Sequence, residues 1–258
     1  DPVFENAWGV SDEDLFRRAL TELDRLQQAG RPFFALLLTV SNHRPYTYPA
    51  GRIPEKGQSR ENAVKYADWA LGYFFREAKR HSFYARTLFV VMGDHGARVT
   101  GSQLFPMKSY RVPVLFLGPD PSWRDRRWST LGCSLDIAPT ILGQLGGRYR
   151  SVFFGRDLLH TPPEAGRALM QHNHDVALLD ARNRLTVLGF GRKATEFLMD
   201  PKTYKLTRLP QPEPKQAGRV AALFQAAYEL YYSDRWFPEA SAGSRLRVAG
   251  PPKSSRTR

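Results

Sequence analysis

Apolar residues recur at helical spacing in two stretches within the first eighty residues. The first stretch follows the polar run Ser11–Asp14, which has the form of a helix capping box, and it ends at Gly30. Its apolar positions are Leu15, Phe16, Ala19, Leu20, Leu23 and Leu26. The second stretch, Glu61–Lys79, carries one apolar face made of Val64, Ala67, Leu71, Phe74, Phe75 and Ala78. The pattern therefore predicts two amphipathic helices, the second of them a crossover helix.

Three nearly continuous apolar runs lie between and after these helices. They are Pro32–Val40, Thr87–Met92 and Val112–Leu117. Such runs are typical of parallel strands that are covered on both faces. A further helix is predicted from Asp136, as its cap, to about Leu145, where two glycines end it. The order of strands and helices predicts an α/β fold with a doubly wound, mostly parallel sheet over residues 1–149.

The pattern changes after residue 150. His174–Asp180 and Arg184–Leu188 flank a polar turn and have the form of an antiparallel hairpin, which Ala194–Met199 and Tyr204–Leu209 extend. Arg219–Tyr232 is predicted to be a closing helix. We assign residues 150–239 to C-terminal antiparallel strands with this helix, and we expect residues 240–258 to be a disordered basic tail.

Composition narrows the choice of partners. The 258 residues are 42% hydrophobic, which is enough for a sizeable core, and the formal net charge is +13. Basic residues are spread along the chain apart from a short cluster at Arg124–Arg127 and the tail, so we expect an anionic lipid or anionic substrate and no nucleic acid. No apolar run is long enough to span a bilayer. Cys133 is expected to be a small buried hydrophobe, and the start at Asp1 without a leader suggests a piece of a longer protein.

Polar residues suited to metal and phosphate chemistry follow two of the predicted strands. Asp94 and His95 lie between Gly93 and Gly96, which permit a sharp turn, so the carboxylate and imidazole are predicted to bind one cation. The alternative is a structural cap on the next turn. His43 would lie at the same edge of the sheet, where its ring either binds a phosphoryl or sulfuryl oxygen or packs under its own loop.

The donor types also indicate which metal to expect. The oxygen and nitrogen donors of Asp94 and His95 favour Mn²⁺ or Zn²⁺ over Ca²⁺. A second metal site is conceivable at His172 and His174 if both lie on one strand, where they would point the same way. A solvent-facing role, or one at the rim of the substrate site, is the preferred interpretation of these two histidines.

Five segments in a fixed order resemble the sulfatase-like enzymes of the alkaline phosphatase superfamily, most closely the lipoteichoic acid synthase and phosphoglycerol transferase branch. The segments are SNHRPY (Ser41–Tyr46) after an apolar strand, YADWALGYFF (Tyr66–Phe75), VVMGDHG (Val90–Gly96), YRVPVLFLGP (Tyr110–Pro119) and SLDIAPTILGQLG (Ser134–Gly146). The run that contains them, from Pro32 to Gly147, covers about 45% of the chain.

The resemblance implies the C-terminal part of an extracytoplasmic, periplasmic catalytic domain at the bacterial cell membrane, tethered by N-terminal membrane helices. It also implies a phospho-threonine intermediate and a single divalent metal ion. Mn²⁺ is the expected ion, with Zn²⁺, Mg²⁺ or Ca²⁺ as alternatives. Asp94 and His95 match the family's paired metal ligands, and His43 matches its substrate-binding histidine. The family's acidic ligand and nucleophilic threonine lie on earlier segments that this chain does not match, so the nucleophile is unassigned and we expect a metal to be held weakly.

The implied function is transfer of a phosphoglycerol-type, alkyl-phosphoryl group from an anionic lipid donor to a glycan or other hydroxyl acceptor. The first alternative is hydrolysis of a sulfate or phosphate ester on the same scaffold. The formylglycine-sulfatase signature, a Cys or Ser followed by x-Pro-x-Arg, is not present at Gly132–Ser134. The third alternative is a basic module that binds an anionic polymer or a membrane.

Overall fold

The computed structural model describes residues 1–97, 104–119 and 124–235, which form two compact units. The first unit contains the described residues of Asp1–Met92 and Val114–Arg126. The second contains those of Gly93–Pro113 and those from Arg127 onward. Within these ranges, no helix combines the length and hydropathy of a bilayer-spanning segment. The predicted disordered tail, residues 240–258, lies outside the described residues.

A short hairpin opens the first unit. β1 (Glu5–Asn6) pairs antiparallel with β2 (Gly9–Val10) across a two-residue turn. The carboxylate of Asp14 accepts hydrogen bonds from the backbone N–H groups of Val3 and Phe4 at 3.0 and 3.1 Å, which ties the hairpin to the helix that follows. Burial alone would raise the pKa of Asp14, but these hydrogen bonds outweigh it and hold the pKa below its ordinary value.

The two predicted amphipathic helices are confirmed. α1 spans Asp12–Gln28 and α2 spans Arg60–Ala78. Each begins at a serine N-cap, Ser11 or Ser59, whose hydroxyl accepts a hydrogen bond from the backbone N–H three residues on. Gly30 follows α1 with a φ of +68°, a conformation that glycine adopts without strain.

The core of the first unit lies between these helices. Its fully or nearly buried residues are Phe16, Leu20, Leu23, Tyr66, Ala70, Phe74, Ala78 and Phe83. The predicted face of α2 is wrong by one position, because Ala63, Tyr66 and Ala70 are buried whereas Val64 is exposed. Phe74 and Ala78 belong to both the predicted and the observed apolar face, so helical periodicity alone does not decide between the two faces. The hydroxyl of Tyr66, which accepts a hydrogen bond from the backbone N–H of Glu13 at 3.2 Å, suits the face turned toward α1.

The segment predicted as a buried strand at Pro32–Val40 has no regular secondary structure and belongs to no sheet among the described residues. Within those residues, the main chain of residues 31–39 makes no hydrogen bond. Phe33 and Leu37 pack against the core, whereas Phe34, Leu36 and Leu38 are 78%, 81% and 70% exposed. The buried-strand prediction is therefore wrong here, since a buried strand needs neighbours at both edges and a cover on both faces.

The other two predicted strands form a two-stranded sheet. β3 (Phe89–Met92) pairs with β4 (Val114–Leu117), with Val90 opposite Phe116. The pair is antiparallel, so the parallel arrangement predicted for these strands is wrong. A parallel pair needs a long crossover, usually a helix, and the described residues between β3 and β4 contain only the 3₁₀ turn Met107–Tyr110.

A five-stranded antiparallel sheet, with its strands in chain order, dominates the second unit. The strands are β5 (Arg167–His172), β6 (Asp175–Asp180), β7 (Arg184–Leu188), β8 (Ala194–Met199) and β9 (Leu206–Arg208). α4 (Pro214–Tyr232) packs on β6 and β7. The predicted hairpin, its two further strands and the closing helix are confirmed. β5 was not predicted, because its residues show no clear alternation of apolar and polar positions.

A buried charged pair ties three elements of this unit together. Glu196 of β8 is fully buried, and its carboxylate accepts hydrogen bonds from the guanidinium of Arg184 on β7 at 3.0 and 3.1 Å. It also accepts one from the backbone N–H of Glu213, at the start of α4, at 3.1 Å. The Arg184 contacts lower the pKa of Glu196 more than burial raises it, so the pKa lies below its ordinary value.

The third predicted helix is α3, at Ile137–Leu145, and it ends at Gly146 with a φ of +74°. Its predicted cap, Asp136, makes no side-chain capping bond to α3. The Asp136 carboxylate instead accepts hydrogen bonds from the backbone N–H groups of Cys133 and Arg156, both at 2.7 Å, and so joins the preceding 3₁₀ turn to a later loop. Cys133 is free and packs against the core, and burial raises the pKa of its thiol.

Candidate functional site

The predicted metal ligands lie directly after β3. The ladder continues to Gly93, whose N–H donates to the carbonyl of Pro113 at 3.4 Å, and the chain then leaves the sheet at Asp94 and His95. The Asp94 Oδ1 atom accepts a hydrogen bond from the backbone N–H of His95 at 2.9 Å. The side chains of Asp94 and His95 are 71% and 82% exposed, so both are open to solvent and to a ligand.

The hydrogen bonds of His95 define which ring nitrogen can bind a cation. Its Nδ1 lies 3.0 Å from the carbonyl oxygen of Gly96. A carbonyl oxygen only accepts, so Nδ1 carries the proton and Nε2 of the neutral ring keeps a free lone pair. This Nε2 lies 3.7 Å from Oδ2 of Asp94. Two ligand atoms at ordinary metal distances lie roughly 3–4 Å apart, so these two atoms can hold the same ion.

Gly93 and Gly96, which flank the pair, were expected to permit a sharp turn, but the structure shows a different role for glycine here. Neither Gly93 nor Gly96 has a positive φ, so a left-handed turn is not what requires them. A Cβ atom added at Gly96 would lie 2.1 Å from the carbonyl oxygen of Ser109 and 2.9 Å from that of Arg111. Gly96 therefore allows the main chain of residues 109–111 to pack directly against the loop that carries Asp94 and His95.

The described residues contain no group of three or more His, Cys, Asp or Glu side chains placed to hold a metal ion. His172 ends β5, whereas His174 lies in the two-residue turn before β6. The two histidines do not share a strand, so the condition for a second metal site at this spacing is not met. The His172 ring instead contacts Phe105, with centroids 5.6 Å apart.

His43 belongs to the first unit, whereas Asp94 and His95 belong to the second. Its side chain is exposed, so it does not pack under its own loop. His43 Nδ1 donates to the carbonyl of Arg44 at 3.1 Å, which leaves Nε2 without a partner among the described residues. The indole of Trp8 lies against the imidazole with centroids 3.7 Å apart, and Trp8 Nε1 donates to the same Arg44 carbonyl at 2.6 Å.

Asp12 anchors the start of the His43 loop, a role that sequence reasoning missed. Its buried Oδ1 accepts hydrogen bonds from the backbone N–H groups of Val40 and Ser41 at 3.0 and 2.9 Å. The backbone N–H of Asp12 donates in return to Ser41 Oγ at 3.0 Å. The available signal was the run of three acidic residues at the start of α1, where a capping box needs only one. Trp8 was also missed, since an exposed aromatic residue in a hairpin turn has no distinctive pattern.

Comparison with known proteins identifies the family. A family model described as Sulfatase matches residues 1–147, which is more than half of the chain and includes His43, Asp94 and His95. The chain belongs to the sulfatase family. This is a family of enzymes within the alkaline phosphatase superfamily, whose members generally depend on divalent metals.

Curated relatives of this sulfatase-family chain lie in the lipoteichoic acid synthase branch, which confirms the suspected resemblance. The chain is 27% identical to the lipoteichoic acid synthase-like protein YvgJ of Bacillus subtilis, over 61% of this chain and 29% of that protein. It is 26% identical to lipoteichoic acid synthase 1 of the same organism, over 58% of this chain and 26% of that protein. The chain thus spans less than a third of the length of these relatives.

Solved structures confirm the α/β fold class, in the incomplete alkaline phosphatase-like form. A protein in the alkaline phosphatase superfamily from Vibrio parahaemolyticus superposes with a TM-score of 0.83 at 36% identity, over 93% of this chain and 59% of that one. The lipoteichoic acid synthase LtaP from Listeria monocytogenes superposes with a TM-score of 0.66 at 20% identity, over 90% and 61% of the two chains. The second similarity supports the fold alone.

The residues of this chain fit part of a divalent-metal site of the kind that the sulfatase family uses. They provide one carboxylate oxygen and one imidazole nitrogen with a free lone pair, both exposed and 3.7 Å apart. These donor types suit Mn²⁺ and Zn²⁺. Two ligands are fewer than such a site needs, so the described part of the chain supplies only part of a metal shell.

Proposed function

We propose that the protein containing this chain is a divalent-metal-dependent transferase that moves a phosphoglycerol-type group from an anionic lipid donor to a glycan or other hydroxyl acceptor. The observation that carries this proposal is the Asp94 and His95 pair, with Oδ2 and Nε2 exposed and 3.7 Å apart inside the sulfatase-family match. The lipoteichoic acid synthase relatives support the lipid donor and an extracytoplasmic location at the membrane.

Each of the three site residues has a separate task in this proposal. Asp94 Oδ2 and His95 Nε2 hold the cation, for which Mn²⁺ is the first choice. The Gly96 carbonyl keeps the His95 ring in the tautomer that can bind this cation. When bound, the cation stabilises negative charge on the transferring group. His43, in its protonated form, donates through Nε2 to a phosphoryl oxygen or to the leaving oxygen. Overall, the phosphorus–oxygen bond to the lipid glycerol breaks, a bond to the acceptor oxygen forms, and the acceptor's proton passes to the departing alcohol.

We further propose that this chain is the C-terminal part of the catalytic domain. The support is the apolar segment at residues 31–39, whose main chain makes no hydrogen bond to the described residues and which exposes Phe34, Leu36 and Leu38. An apolar segment whose main-chain groups have no partner calls for neighbouring strands. The nucleophile and the remaining metal ligands would then lie in the portion of the fold that the relatives have beyond this match.

The test uses the complete gene product, purified in detergent with labelled phosphatidylglycerol and Mn²⁺. Asp94→Ala and His95→Ala are each expected to abolish phospholipid turnover, because each removes one of the cation's ligands. His160→Ala is the matched control, since His160 is also exposed and lies beside a carboxylate, that of Asp157, at 2.7 Å. Turnover that is undiminished in both Asp94→Ala and His95→Ala rules the proposal out.

Hydrolysis of a sulfate or phosphate ester is the second candidate, because the matching family model is that of the sulfatases. The same assay separates the two reactions by their products. A transferase forms a glycerophosphoryl-acceptor product, whereas a hydrolase releases glycerol phosphate to water. Turnover of p-nitrophenyl sulfate or p-nitrophenyl phosphate, with no acceptor product from the lipid, would replace the transferase assignment by the hydrolase.

A further inference from the structure

We propose that Trp8 is a positioning residue for His43, and that the β1–β2 hairpin presents it to that ring. The inference rests on the proposed function in one respect, which is that His43 binds the substrate. Trp8 is 51% exposed, although tryptophan is highly buried on average, and it makes both a ring contact and a hydrogen bond.

Two contacts of Trp8 converge on the His43 ring and its hydrogen-bond partner. The indole and imidazole centroids lie 3.7 Å apart at an interplanar angle of 43°. Trp8 Nε1 and His43 Nδ1 donate to the same acceptor, the carbonyl oxygen of Arg44, at 2.6 and 3.1 Å. The indole thus limits rotation of the imidazole and holds in place the carbonyl that selects its tautomer.

The hairpin turn that carries Trp8 is joined to the His43 loop through Asn6. The backbone N–H of Trp8 donates to the side-chain oxygen of Asn6 at 2.8 Å. The Asn6 amide group in turn donates to Thr47 Oγ1 at 2.9 Å, four residues after His43. Asn6 therefore links the backbone of Trp8 to the loop that carries His43.

This arrangement has a chemical consequence for His43. With Nδ1–H bonded to the Arg44 carbonyl, the neutral ring presents Nε2 as its free nitrogen, and the protonated ring presents Nε2–H. Histidine exposed to water without such a partner populates both neutral tautomers. Trp8 thus gives an exposed loop histidine a single orientation and a single reactive nitrogen, which a phosphoryl-binding residue requires.

The experiment measures the tautomer of His43 in the purified chain from long-range ¹H–¹⁵N correlation spectra of the imidazole, with the signals assigned through His43→Gln. In the unmodified chain we expect the proton of the neutral ring on Nδ1 alone. Trp8→Ala is expected to give a mixture of both tautomers, and Trp8→Phe, which keeps the aromatic face but lacks the Nε1–H donor, is expected to recover most of the Nδ1–H tautomer. Trp128→Ala, which removes another exposed tryptophan, serves as the control.

An Nδ1–H tautomer that persists unchanged in Trp8→Ala overturns the inference. If Trp8→Ala does not fold, Asn6→Ala decides in its place, because it loosens the hairpin turn without touching either ring and is expected to give a partial mixture. A single tautomer in folded Asn6→Ala would then overturn the inference.

Titration with sn-glycerol 3-phosphate tests the proposed function separately. Unmoved His43 signals in the unmodified chain would count against a substrate role for His43 while leaving the positioning result intact. In the complete gene product, Trp8→Ala is expected to lower kcat/KM roughly 10–100-fold, with Trp8→Phe recovering most of the loss.

Discussion

Replacing Asp12 by alanine should loosen the His43 loop and destabilise the first unit. The Asp12 carboxylate is 1% exposed, and its Oδ1 accepts the backbone N–H groups of Val40 and Ser41 at 3.0 and 2.9 Å. Alanine removes the acceptor and leaves two N–H groups without a partner beside a buried site. The carboxylate also lies in the first turn of α1, where a negative charge is favourable.

The contacts allow the size of the effect to be worked out. A hydrogen bond to a charged group contributes about 1.5–3 kcal/mol, so the loss of two such bonds in Asp12→Ala should cost about 3–6 kcal/mol. Asp12→Asn keeps an oxygen that can accept both N–H groups but loses the charge assistance, which accounts for roughly half of such a bond. We therefore expect a cost of about 1.5–3 kcal/mol for Asp12→Asn. Against a total of about 5–15 kcal/mol for a typical domain, the alanine variant loses a large share.

The measurement combines urea unfolding of the chain with amide hydrogen exchange at Val40 and Ser41. Asp68→Ala and Asp68→Asn are the matched controls, since Asp68 is an exposed carboxylate on α2. The expected order of stability is the unmodified chain, then Asp12→Asn, then Asp12→Ala, with the fastest exchange at the two amides in the last. The reasoning is refuted if Asp12→Ala unfolds within about 0.5 kcal/mol of Asp68→Ala and the two amides keep their protection.

Four further predictions concern other parts of the structure. Arg184 lowers the pKa of Glu196 in the folded chain, so the stability that this pair contributes is fully present above the ordinary glutamate pKa of about 4.5 and is lost as the pH falls through the lower pKa of the folded state. Glu196→Gln should therefore reduce the loss of stability at acidic pH, which is measured as the urea midpoint against pH. Arg184→Met should cost about 2–3 kcal/mol in urea unfolding, since it leaves a buried carboxylate without its cation, and an unchanged midpoint would contradict this role. Gly96→Ala should displace the Asp94 loop, because a Cβ would lie 2.1 Å from the Ser109 carbonyl, and should abolish Mn²⁺-induced broadening of the Asp94 and His95 amides while Gly218→Ala, in α4, leaves it intact. Leu36→Lys, at a position 81% exposed, should change stability by less than about 0.5 kcal/mol yet reduce light scattering from self-association.

The sequence predicted which segments form helices and strands better than it predicted how the strands pair. The capping box before α1, the helical spacing of apolar residues in α2 and the polar turn between β6 and β7 are local signals, and each of these elements is present. The apolar run Pro32–Val40, by contrast, is not part of a sheet, because a buried strand depends on neighbours that the described residues do not supply. Likewise the antiparallel pairing of β3 with β4 depends on the path of the connecting chain, which local pattern does not encode.

The candidate site divides in the same way. By itself, the sequence determined the residue types on which the proposed function depends, because a carboxylate and an imidazole after a strand are recognisable from their spacing and from the family motif that contains them. Only the tertiary structure decided that Asp12 anchors the His43 loop, that Trp8 lies on the His43 ring, and that Gly96 is needed for a close main-chain approach. The physical reason is that hydrogen bonds and ring contacts join residues 29, 35 and 36 positions apart, or bring two main chains together, at distances that no local periodicity specifies.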